Sequence, residues 1–397
     1  MSILFLKILF WFGVSLIFYA YLGYGLVLLV LLYLKQTPRN KHLDETIPRT
    51  KVTFIVCAYN EEDWIAEKIQ NSLAINYPRE RISFLFVTDG SDDATTEVIR
   101  QYPFPPDVQW QLLHQAERKG KIAAFQRAME HVSTPVVVST DANTQVNTDA
   151  VLLLVRHFND PVVGAVAGEK RISMGEKNDA SSAGEGIYWK YESKLKQWDS
   201  ELWSVVGAAG ELFAFRTEAY ENVPTDTLVE DFYLSMRIAQ KGWRVQYEPG
   251  AFAVESSSAS VAEEMKRKVR IAAGGLQAVS RLLPLLNIFK YGILSFQYIS
   301  HRVLRWTIAP LFLPLVLLSN ILLVLTCSPA YTFFLFVQSI FYCAAILGWM
   351  LEKRKIKVKA LFVPYYFCLM NWAMYAGFWR LFKGQQSVIW EKAKRAG

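Results

Sequence analysis

The chain has few cysteines and lacks the glycine motifs by which two large classes of protein bind nucleotide phosphates. Its 397 residues include four cysteines without the spacing of zinc ligands, so neither a disulfide framework nor a structural zinc site is expected. No G-x-G-x-x-G follows the first predicted strand, and no G-x-x-x-x-G-K-[ST] occurs anywhere. These absences argue against dinucleotide binding and against Walker-type phosphate binding.

Apolar residues are too many for an ordinary soluble domain and too few for a pure membrane bundle. They make up 52% of the chain, and the mean hydropathy is +0.16. Ile3 to Leu34 is almost uninterrupted apolar sequence, with Lys7 as its one charge, and long apolar stretches return from Val303. The first stretch is long enough to span a bilayer and lacks a signal-peptide cleavage site, so it predicts a retained membrane anchor.

Positive charge flanks the apolar stretches. The formal net charge is +7, and the basic linker from Lys35 to Lys51 places the following domain in the cytoplasm by the positive-inside rule. Anionic lipid headgroups explain this charge better than nucleic acid does, and no nucleic-acid partner is expected. Val303–Leu325 and Tyr331–Met350 predict two spans. Leu361–Phe382 either crosses the membrane as well or lies in its interface.

Between the apolar regions, strand and helix patterns alternate over residues 52 to about 260. The predicted strands are Val52–Ala58, Ser83–Thr88, Val108–Leu113 and Pro135–Thr140, and the predicted helices between them are Glu61–Leu73, Asp92–Arg100 and Gly120–His131. This alternation predicts right-handed βαβ units on a mostly parallel sheet.

Acidic and amide side chains follow three of these strands, at the carboxyl ends where an open α/β sheet binds its ligands. Asp141 and Asn143 point the same way on an extended chain, so they suit a divalent cation shared with phosphate oxygens. Taken alone, a D-x-N is more often a surface turn, but here it is one of three acidic clusters at strand or loop ends. Glu61 and Asp89 suit a base edge and ribose hydroxyls. Asp92 suits either a ligand site or a helix N-cap.

Two further charged segments lie at predicted helix starts. The cations of Arg118-Lys-Gly-Lys121 either meet a diphosphate or form a solvated charge run. Glu230 and Asp231 open the helical stretch Phe232–Gln240, which is the ordinary arrangement of acids at a helix N-terminus. Alternatively, Asp231 is a general base that deprotonates an acceptor hydroxyl.

Taken in order, these segments resemble the nucleotide-sugar half of family-2 glycosyltransferases with the GT-A fold. The resemblance is carried by Val52 to Glu62, Asp89-Gly-Ser-Asp-Asp93, Gly120-Lys121 and Asp141-Ala-Asn143. It implies an α/β fold, with a GT-A-type, Rossmann-like, mostly parallel sheet domain plus transmembrane and interfacial helices. It also implies that the nucleotide sugar is bound by Ala58, Glu61, Asp89, Asp92, Lys121 and Asp141. The metal ligands would be Asp141 and Asn143. Asn143 stands in place of the second Asp of the family's D-x-D and contributes no charge, so it either binds the metal more weakly or contacts the sugar instead.

The resemblance extends to the acceptor half. Val229-Glu-Asp231 looks like the family's acidic pair before a helix, which makes Asp231 the base. Gly207-Ala-Ala-Gly210 resembles the small-residue loop of the acceptor site, so acceptor binding is expected from Gly207, Gly210 and Glu230.

Two segments compete for the place of the family's Q/R-x-x-R-W motif. Arg267-Lys-Val-Arg270-Ile271 lies at the expected place, which implies that Arg267 and Arg270 contact the diphosphate, although Ile271 replaces the Trp. Arg302-Val-Leu-Arg305-Trp306 matches formally but suits interfacial anchors. Trp390, with Lys392 and Arg395, either resembles the family's C-terminal tail or anchors the chain at the interface.

We therefore expect an integral membrane protein with a cytoplasmic, inverting glycosyltransferase domain that serves extracellular or cell-envelope polysaccharide synthesis. It would use a UDP-sugar, Mg²⁺ or Mn²⁺, and a saccharide or lipid-linked acceptor. The expected domains are an N-terminal transmembrane helix (1–34), the catalytic domain (50–275), interfacial helices (276–302), a C-terminal transmembrane region of two or three spans (303–382) and a basic cytoplasmic tail (383–397).

The number of spans and the replacement of Trp by Ile271 indicate whether the enzyme makes a polymer or adds single sugars. Three or four spans are few for a single-chain polymer channel, which favours distributive single transfers, a homo-oligomer or an export partner over a self-contained processive synthase. A non-catalytic nucleotide-sugar-binding membrane protein is the alternative from another class. The joint presence of Asp89, Asp141 and Asp231 argues against it.

Overall fold

The computed structural model describes residues 2–35, 50–173, 180–256, 261–326, 329–354, 356 and 358–384. These residues pack as two compact units. The helical unit comprises residues 2–35, 180–195 and the described residues between 261 and 384; the sheet unit comprises residues 50–173 and 196–256. Trp390, Lys392 and Arg395 of the predicted tail lie outside the described residues, as does most of the linker after Lys35.

One mixed sheet forms the centre of the sheet unit. Its strands are β1 (Val52–Ala58), β2 (Ile82–Asp89), β3 (Gln109–Gln115), β4 (Val136–Asp141), β5 (Thr144–Val146), β6 (Val163–Ser173), β7 (Leu212–Arg216) and β8 (Arg244–Ser256), in the spatial order β3-β2-β1-β4-β7-β6-β8-β5. The first four strands pair in parallel, as do β6 and β8, whereas β7 and β5 run antiparallel to their neighbours. The α/β fold with a mostly parallel sheet is confirmed.

The helices follow the predicted order. They are α1 (Ile3–Phe18), α2 (Tyr24–Lys35), α3 (Glu62–Leu73), α4 (Thr95–Gln101), α5 (Lys121–Met129), α6 (Ala150–Val155), α7 (Ala180–Leu202), α8 (Glu230–Gln240), α9 (Val261–Arg281), α10 (Ile288–Tyr291), α11 (Ile293–Tyr298), α12 (Leu304–Trp306), α13 (Ile308–Thr326), α14 (Pro329–Lys353) and α15 (Lys359–Phe382). Short π-helical segments at Tyr19–Gly23 and Ile299–Val303 join α1 to α2 and α11 to α12.

The central strands are buried on both faces, as expected for parallel strands covered by helices. Phe54 of β1 and Phe84 of β2 stand opposite each other in the ladder, and their ring centroids are 5.8 Å apart. Ile65 and Ile69 of α3 belong to the same buried cluster. Each such side chain contributes about 1.5–3 kcal/mol when it is fully buried. This packing fixes where the strands end, and the candidate site residues follow those ends.

Among the described residues, three helical segments are long and apolar enough to cross a membrane: Ile3–Lys35, α13 and α14. The predicted span from Val303 begins later, at Ile308, because Thr307 leaves the helical conformation with φ −122° and ψ −72°. The predicted segment Leu361–Phe382 is helical as α15, but it is not apolar enough to count with these three.

The loops that follow β2 and β3 lie in direct contact at Gly90. This residue has φ +66°, and its N–H donates to the carbonyl of Gln115 at 2.8 Å. A Cβ at Gly90 would lie 2.5 Å from the backbone nitrogen of Arg118. A side chain here would therefore push the Arg118–Lys121 segment away from the end of β2.

We expect Gly90→Ala to destabilise the protein more than Gly242→Ala. Both glycines have positive φ, which costs an alanine about 1–2 kcal/mol, but no described atom lies within 4 Å of a Cβ at Gly242. The backbone overlap at Gly90 adds about 1–3 kcal/mol. Thermal unfolding of the two full-length variants in detergent measures the difference, and equal midpoints would contradict the close approach.

Candidate active site

The loops after β1 and β2 are joined by side-chain hydrogen bonds. Asn60 Nδ2 donates to Asp92 Oδ1 at 2.5 Å, and the Asp92 N–H donates to Asn60 Oδ1 at 3.1 Å. The Glu62 N–H donates to Asp93 Oδ2 at 3.2 Å. Asp93 Oδ1 also accepts the Thr95 N–H at 2.9 Å, so Asp93 serves the start of α4. The N-cap alternative for Asp92 is therefore wrong, because its side chain is directed to the neighbouring loop.

Asp89 lies at the end of β2 and is only 3% exposed. Its Oδ2 accepts the backbone N–H groups of Lys119 at 3.0 Å and Gly120 at 2.6 Å. Arg127 Nη1 of α5 lies 3.8 Å from its Oδ1. Asp89 therefore orients the loop that leads into α5. Its contact with a nucleotide stays a prediction.

Lys121, the first residue of α5, joins two acidic segments. Its Nζ lies 2.8 Å from Asp141 Oδ1 at the end of β4 and 2.8 Å from Glu230 Oε1 at the start of α8. Burial disfavours the ammonium, but the two carboxylates outweigh burial and hold the pKa of Lys121 well above its ordinary value. Lys121 is thus a fixed positive charge between Asp141 and the acidic pair.

Asp231 offers one carboxylate oxygen to the space beside Lys121. Its Oδ1 accepts the Phe232 N–H at 2.8 Å, whereas a Cβ at Gly210 would lie 3.1 Å from its Oδ2. Burial and the neighbouring Glu230 raise the pKa of the Asp231 carboxyl to about 7, and Lys121 opposes this shift. A carboxyl with this pKa exchanges protons near neutral pH, as a general base must.

The small-residue loop lies directly against the first turn of α8. Gly207 has φ +90°, and a Cβ there would lie 2.2 Å from the ring of Phe232. At Gly210 a Cβ would also lie 3.4 Å from Lys121 Nζ. The loop can approach Asp231 this closely because both positions lack a side chain.

A pocket with about 480 Å³ of empty space, part of it continuous with solvent, lies beside the acidic pair. Its polar end is formed by Lys121, Glu230 and Asp231. Its other walls are mostly apolar and come from Ile122, Phe125, Ser139, Gly210, Phe213, Tyr220, Val223 and Leu234. The arrangement admits a ligand that presents a polar group to Asp231.

The turn between β4 and β5 carries the predicted metal ligands. Asn143 Oδ1 is buried and accepts no hydrogen bond from the described residues, while its Nδ2 lies 3.4 Å from Glu61 Oε1. Asp141 Oδ1 accepts a hydrogen bond from Lys121 Nζ, and Oδ2 is the second oxygen of this carboxylate. The described residues contain no group of three or more His, Cys, Asp or Glu able to hold a metal. The unpartnered Asn143 Oδ1 suits a cation ligand, and a cation held by this pair would take its other ligands from water and phosphate, as Mg²⁺ does.

The remaining predicted nucleotide residues lie in different parts of the chain. Ala58 is buried at the end of β1, and the Glu61 N–H donates to Thr95 Oγ1 at 2.8 Å. Arg267 and Arg270 belong to α9 of the helical unit, where Arg267 Nε lies 3.2 Å from Glu264 Oε2. The diphosphate contacts of these arginines stay predictions.

The segment Arg302–Trp306, which matches the family's Q/R-x-x-R-W motif by sequence, contributes to a buried ion cluster inside the helical unit. Glu192 of α7 lies 2.7 Å from Arg302 Nη1 and 3.2 Å from both His301 Nε2 and Arg305 Nη1. Arg305 Nε also donates to the carbonyl of Ala20 at 2.7 Å. Burial acts against the carboxylate, yet these cations hold the pKa of Glu192 well below its usual range. The predicted interfacial-anchor role missed this cluster, because the sequence does not indicate that Glu192 is the partner.

Much of the sheet unit is similar in sequence to a known family of proteins. The Glycosyl transferase family 2 profile matches residues 53–223. The poly-beta-1,6-N-acetyl-D-glucosamine synthase of Staphylococcus aureus (strain MSSA476) is 30% identical over 237 residues, which are 58% of this chain and 56% of that protein. The synthase of the same name from Staphylococcus epidermidis is 26% identical over 323 residues, 78% of this chain and 75% of that one. The chain thus spans about half the length of the first of these relatives.

A solved structure supports the fold. The mannosyltransferase PcManGT from Pyrobaculum calidifontis, determined in complex with GDP-Man and Mn²⁺, superposes with a TM-score of 0.72 at 24% identity, covering 95% of this chain and 100% of that one. At this level of identity the likeness concerns the fold alone. The structure thus shows a GT-A-type fold, and the matching profile and the synthase relatives support a glycosyl transferase family 2 domain within residues 53–223.

Proposed function

We propose that the protein is a membrane-anchored, inverting glycosyltransferase that moves a sugar from a UDP-sugar to a hydroxyl of a saccharide or lipid-linked acceptor. The main support is the pair of salt bridges from Lys121 to Asp141 and Glu230, with Lys121, Glu230 and Asp231 at the polar end of one pocket. The match of residues 53–223 to the family-2 profile supports glycosyl transfer. The three long apolar helices support membrane anchoring, and the basic linker supports a cytoplasmic catalytic domain.

In this proposal Asp231 is the base. An acceptor hydroxyl in the pocket gives its proton to Asp231 Oδ2, the oxygen that faces Gly210, while Oδ1 stays bonded to the Phe232 N–H. The acceptor oxygen forms a bond to the anomeric carbon, and the bond from that carbon to the diphosphate oxygen breaks on the opposite face. UDP leaves with the electron pair, so the configuration at the anomeric carbon inverts.

The donor diphosphate would lie near Lys121 and the Asp141–Asn143 turn. Lys121 opens a nine-residue helix whose N-terminal N–H groups favour phosphate oxygens. Asp141 and Asn143 would hold Mg²⁺ or Mn²⁺, which neutralises charge on the leaving diphosphate when it is bound. The complex of the mannosyltransferase with GDP-Man and Mn²⁺ supports a nucleoside-diphosphate sugar and a divalent cation. The product named for the synthase relatives makes UDP-N-acetylglucosamine the first donor to test.

A distributive enzyme is the second candidate. Three helices in the described chain are apolar enough to span a membrane, and Ile271 stands at 41% exposure where the family motif has Trp. Both features favour single transfers or a channel completed by a homo-oligomer or an export partner. Purified protein given a UDP-sugar and lipid extract distinguishes the candidates, because a processive enzyme yields a ladder of products and a distributive one yields a single addition.

Asp231→Asn should abolish sugar transfer and leave UDP binding nearly unchanged. The amide keeps the size of the side chain but cannot take the acceptor proton, so we expect kcat to fall by about 10²–10⁴-fold. Transfer from radiolabelled UDP-N-acetylglucosamine, UDP-glucose and UDP-galactose measures the loss, and calorimetry with UDP measures binding.

Asp107→Asn is the matched control, because Asp107 is exposed in the loop before β3 and should transfer sugar normally. Normal turnover by Asp231→Asn would remove the base assignment. A wild-type protein that binds UDP but transfers none of these sugars would favour the non-catalytic alternative.

The rate should rise with pH up to about 7 and then level off. Burial and Glu230 raise the pKa of Asp231 to about 7, so the protonated, inactive form predominates below that pH. Glu230→Gln removes a negative neighbour and favours the ionised carboxylate, which should shift the acid limb to lower pH. Profiles of kcat/KM for wild type, Glu230→Gln and Asp107→Asn test this, and a shift of Glu230→Gln to higher pH would contradict it.

A further inference from the structure

Lys68 of α3 is a charged side chain enclosed in the sheet unit, with 1% of its surface exposed. Its Nζ donates to Thr140 Oγ1 at 3.0 Å and to the carbonyl of Thr144 at 2.8 Å. None of the ion pairs in the described part of the chain includes it. Burying an ammonium without a carboxylate partner is costly. Fold stability alone therefore does not account for a lysine at this position.

The two acceptors of Lys68 flank the Asp141–Asn143 turn. Thr140 precedes Asp141 at the end of β4, and Thr144 begins β5. Thr144 Oγ1 donates back to the carbonyl of Asp141 at 2.9 Å, which closes the turn. Lys68 thus ties the two ends of the turn to α3.

A second set of contacts supports the same turn from the other side. Thr140 Oγ1 donates to the carbonyl of Glu211 at 2.8 Å, and the Glu211 carboxylate pairs with the buried Lys170. Lys170 also pairs with Glu255, which stands opposite Thr144 in the ladder of β5 and β8. Lys170 is neutralised by these carboxylates, whereas the hydrogen bonds of the Lys68 ammonium go to a hydroxyl and a carbonyl oxygen that flank the turn, and its ring contact is with Phe54 at 5.8 Å.

The charge of Lys68 also acts on the turn at longer range. Burial lowers the pKa of Lys68 to about 7, and the negative charge of Asp141 acts against that decrease. This electrostatic attraction adds to the hydrogen bonds that tie the turn to α3.

We propose that Lys68 is a positioning residue that holds the Asp141–Asn143 turn in the conformation that presents Asp141 Oδ2 and Asn143 Oδ1 to the divalent cation of the donor complex. The proposal rests on the function proposed above for this turn. Lys68 itself touches neither the donor nor the metal. It acts through its hydrogen bonds to Thr140 and Thr144, in the way that outer-sphere groups orient metal ligands.

The test is Mn²⁺ binding by the full-length protein in detergent with UDP present, followed by the electron paramagnetic resonance signal of free Mn²⁺. Lys68→Met keeps an unbranched side chain one atom shorter and removes its charge and donors. We expect the Mn²⁺ dissociation constant to rise about 10–100-fold. The Mn²⁺ concentration needed for half-maximal transfer should rise in parallel, whereas kcat at saturating Mn²⁺ should change little.

Thr53→Val is the control that matches the threonine variant Thr140→Val. Thr53 is a buried threonine near the start of β1, and its hydroxyl is hydrogen-bonded to Ser83 and Thr134. This variant should bind Mn²⁺ as the wild type does. Thr140→Val breaks the same contact from the opposite partner and should weaken Mn²⁺ binding as well. In the double variant with Lys68→Met the two effects should be less than additive, because both variants remove one shared interaction.

Wild-type Mn²⁺ binding by folded Lys68→Met would overturn the proposal. If Lys68→Met does not fold, Thr140→Val decides in the same way. A wild-type protein that binds no Mn²⁺ with UDP would instead contradict the metal site of the proposed function. Equal binding by wild type and variants overturns the role of Lys68 alone.

Discussion

The ammonium of Lys121 holds together acidic side chains that would otherwise repel one another. Asp141 comes from the end of β4 and Glu230 from the start of α8, yet each has an oxygen 2.8 Å from the same nitrogen. Gathering Asp141, Glu230 and Asp231 in a largely buried place is unfavourable unless a cation offsets their mutual repulsion. The shape of the pocket and the pKa of Asp231 both depend on this ion pair, because Lys121 lowers that pKa while Glu230 raises it.

The sheet and its helices were predictable because burial leaves a local pattern in the sequence. β1 matches its predicted bounds, and α3 begins one residue later than predicted. Such agreement is expected where a continuous apolar run must fill the interior of a parallel sheet. α4 was less predictable and begins at Thr95, since Asp92 and Asp93 use their carboxylates to join the neighbouring loop. Tertiary contacts override the local signal there.

The members of the candidate site were easier to predict than their contacts. Position at a strand end selected Asp89 and Asp141, and position at a helix start together with the family resemblance selected Lys121. These signals did not indicate that Asp89 binds the backbone of Lys119 and Gly120, or that Lys121 pairs with Glu230. These pairings join residues far apart along the chain, and no periodic pattern encodes them. The same holds for Glu192, whose arginine partners match a motif by sequence and form a buried cluster in the structure.

The glycines of the 207–210 loop show why the acidic pair and the small-residue loop must occur together. From the sequence, the resemblance assigned this loop to the acceptor site. The structure adds that Gly207 lies against Phe232 and Gly210 against Asp231 and Lys121. A side chain at Gly210 would occupy the space that Asp231 Oδ2 faces, while the bare backbone covers the carboxylate and still leaves that oxygen accessible from the pocket. Burial raises the pKa of Asp231, but a hydroxyl must still reach its carboxylate. Both conditions are met because the loop that covers the carboxylate has no side chain at Gly210.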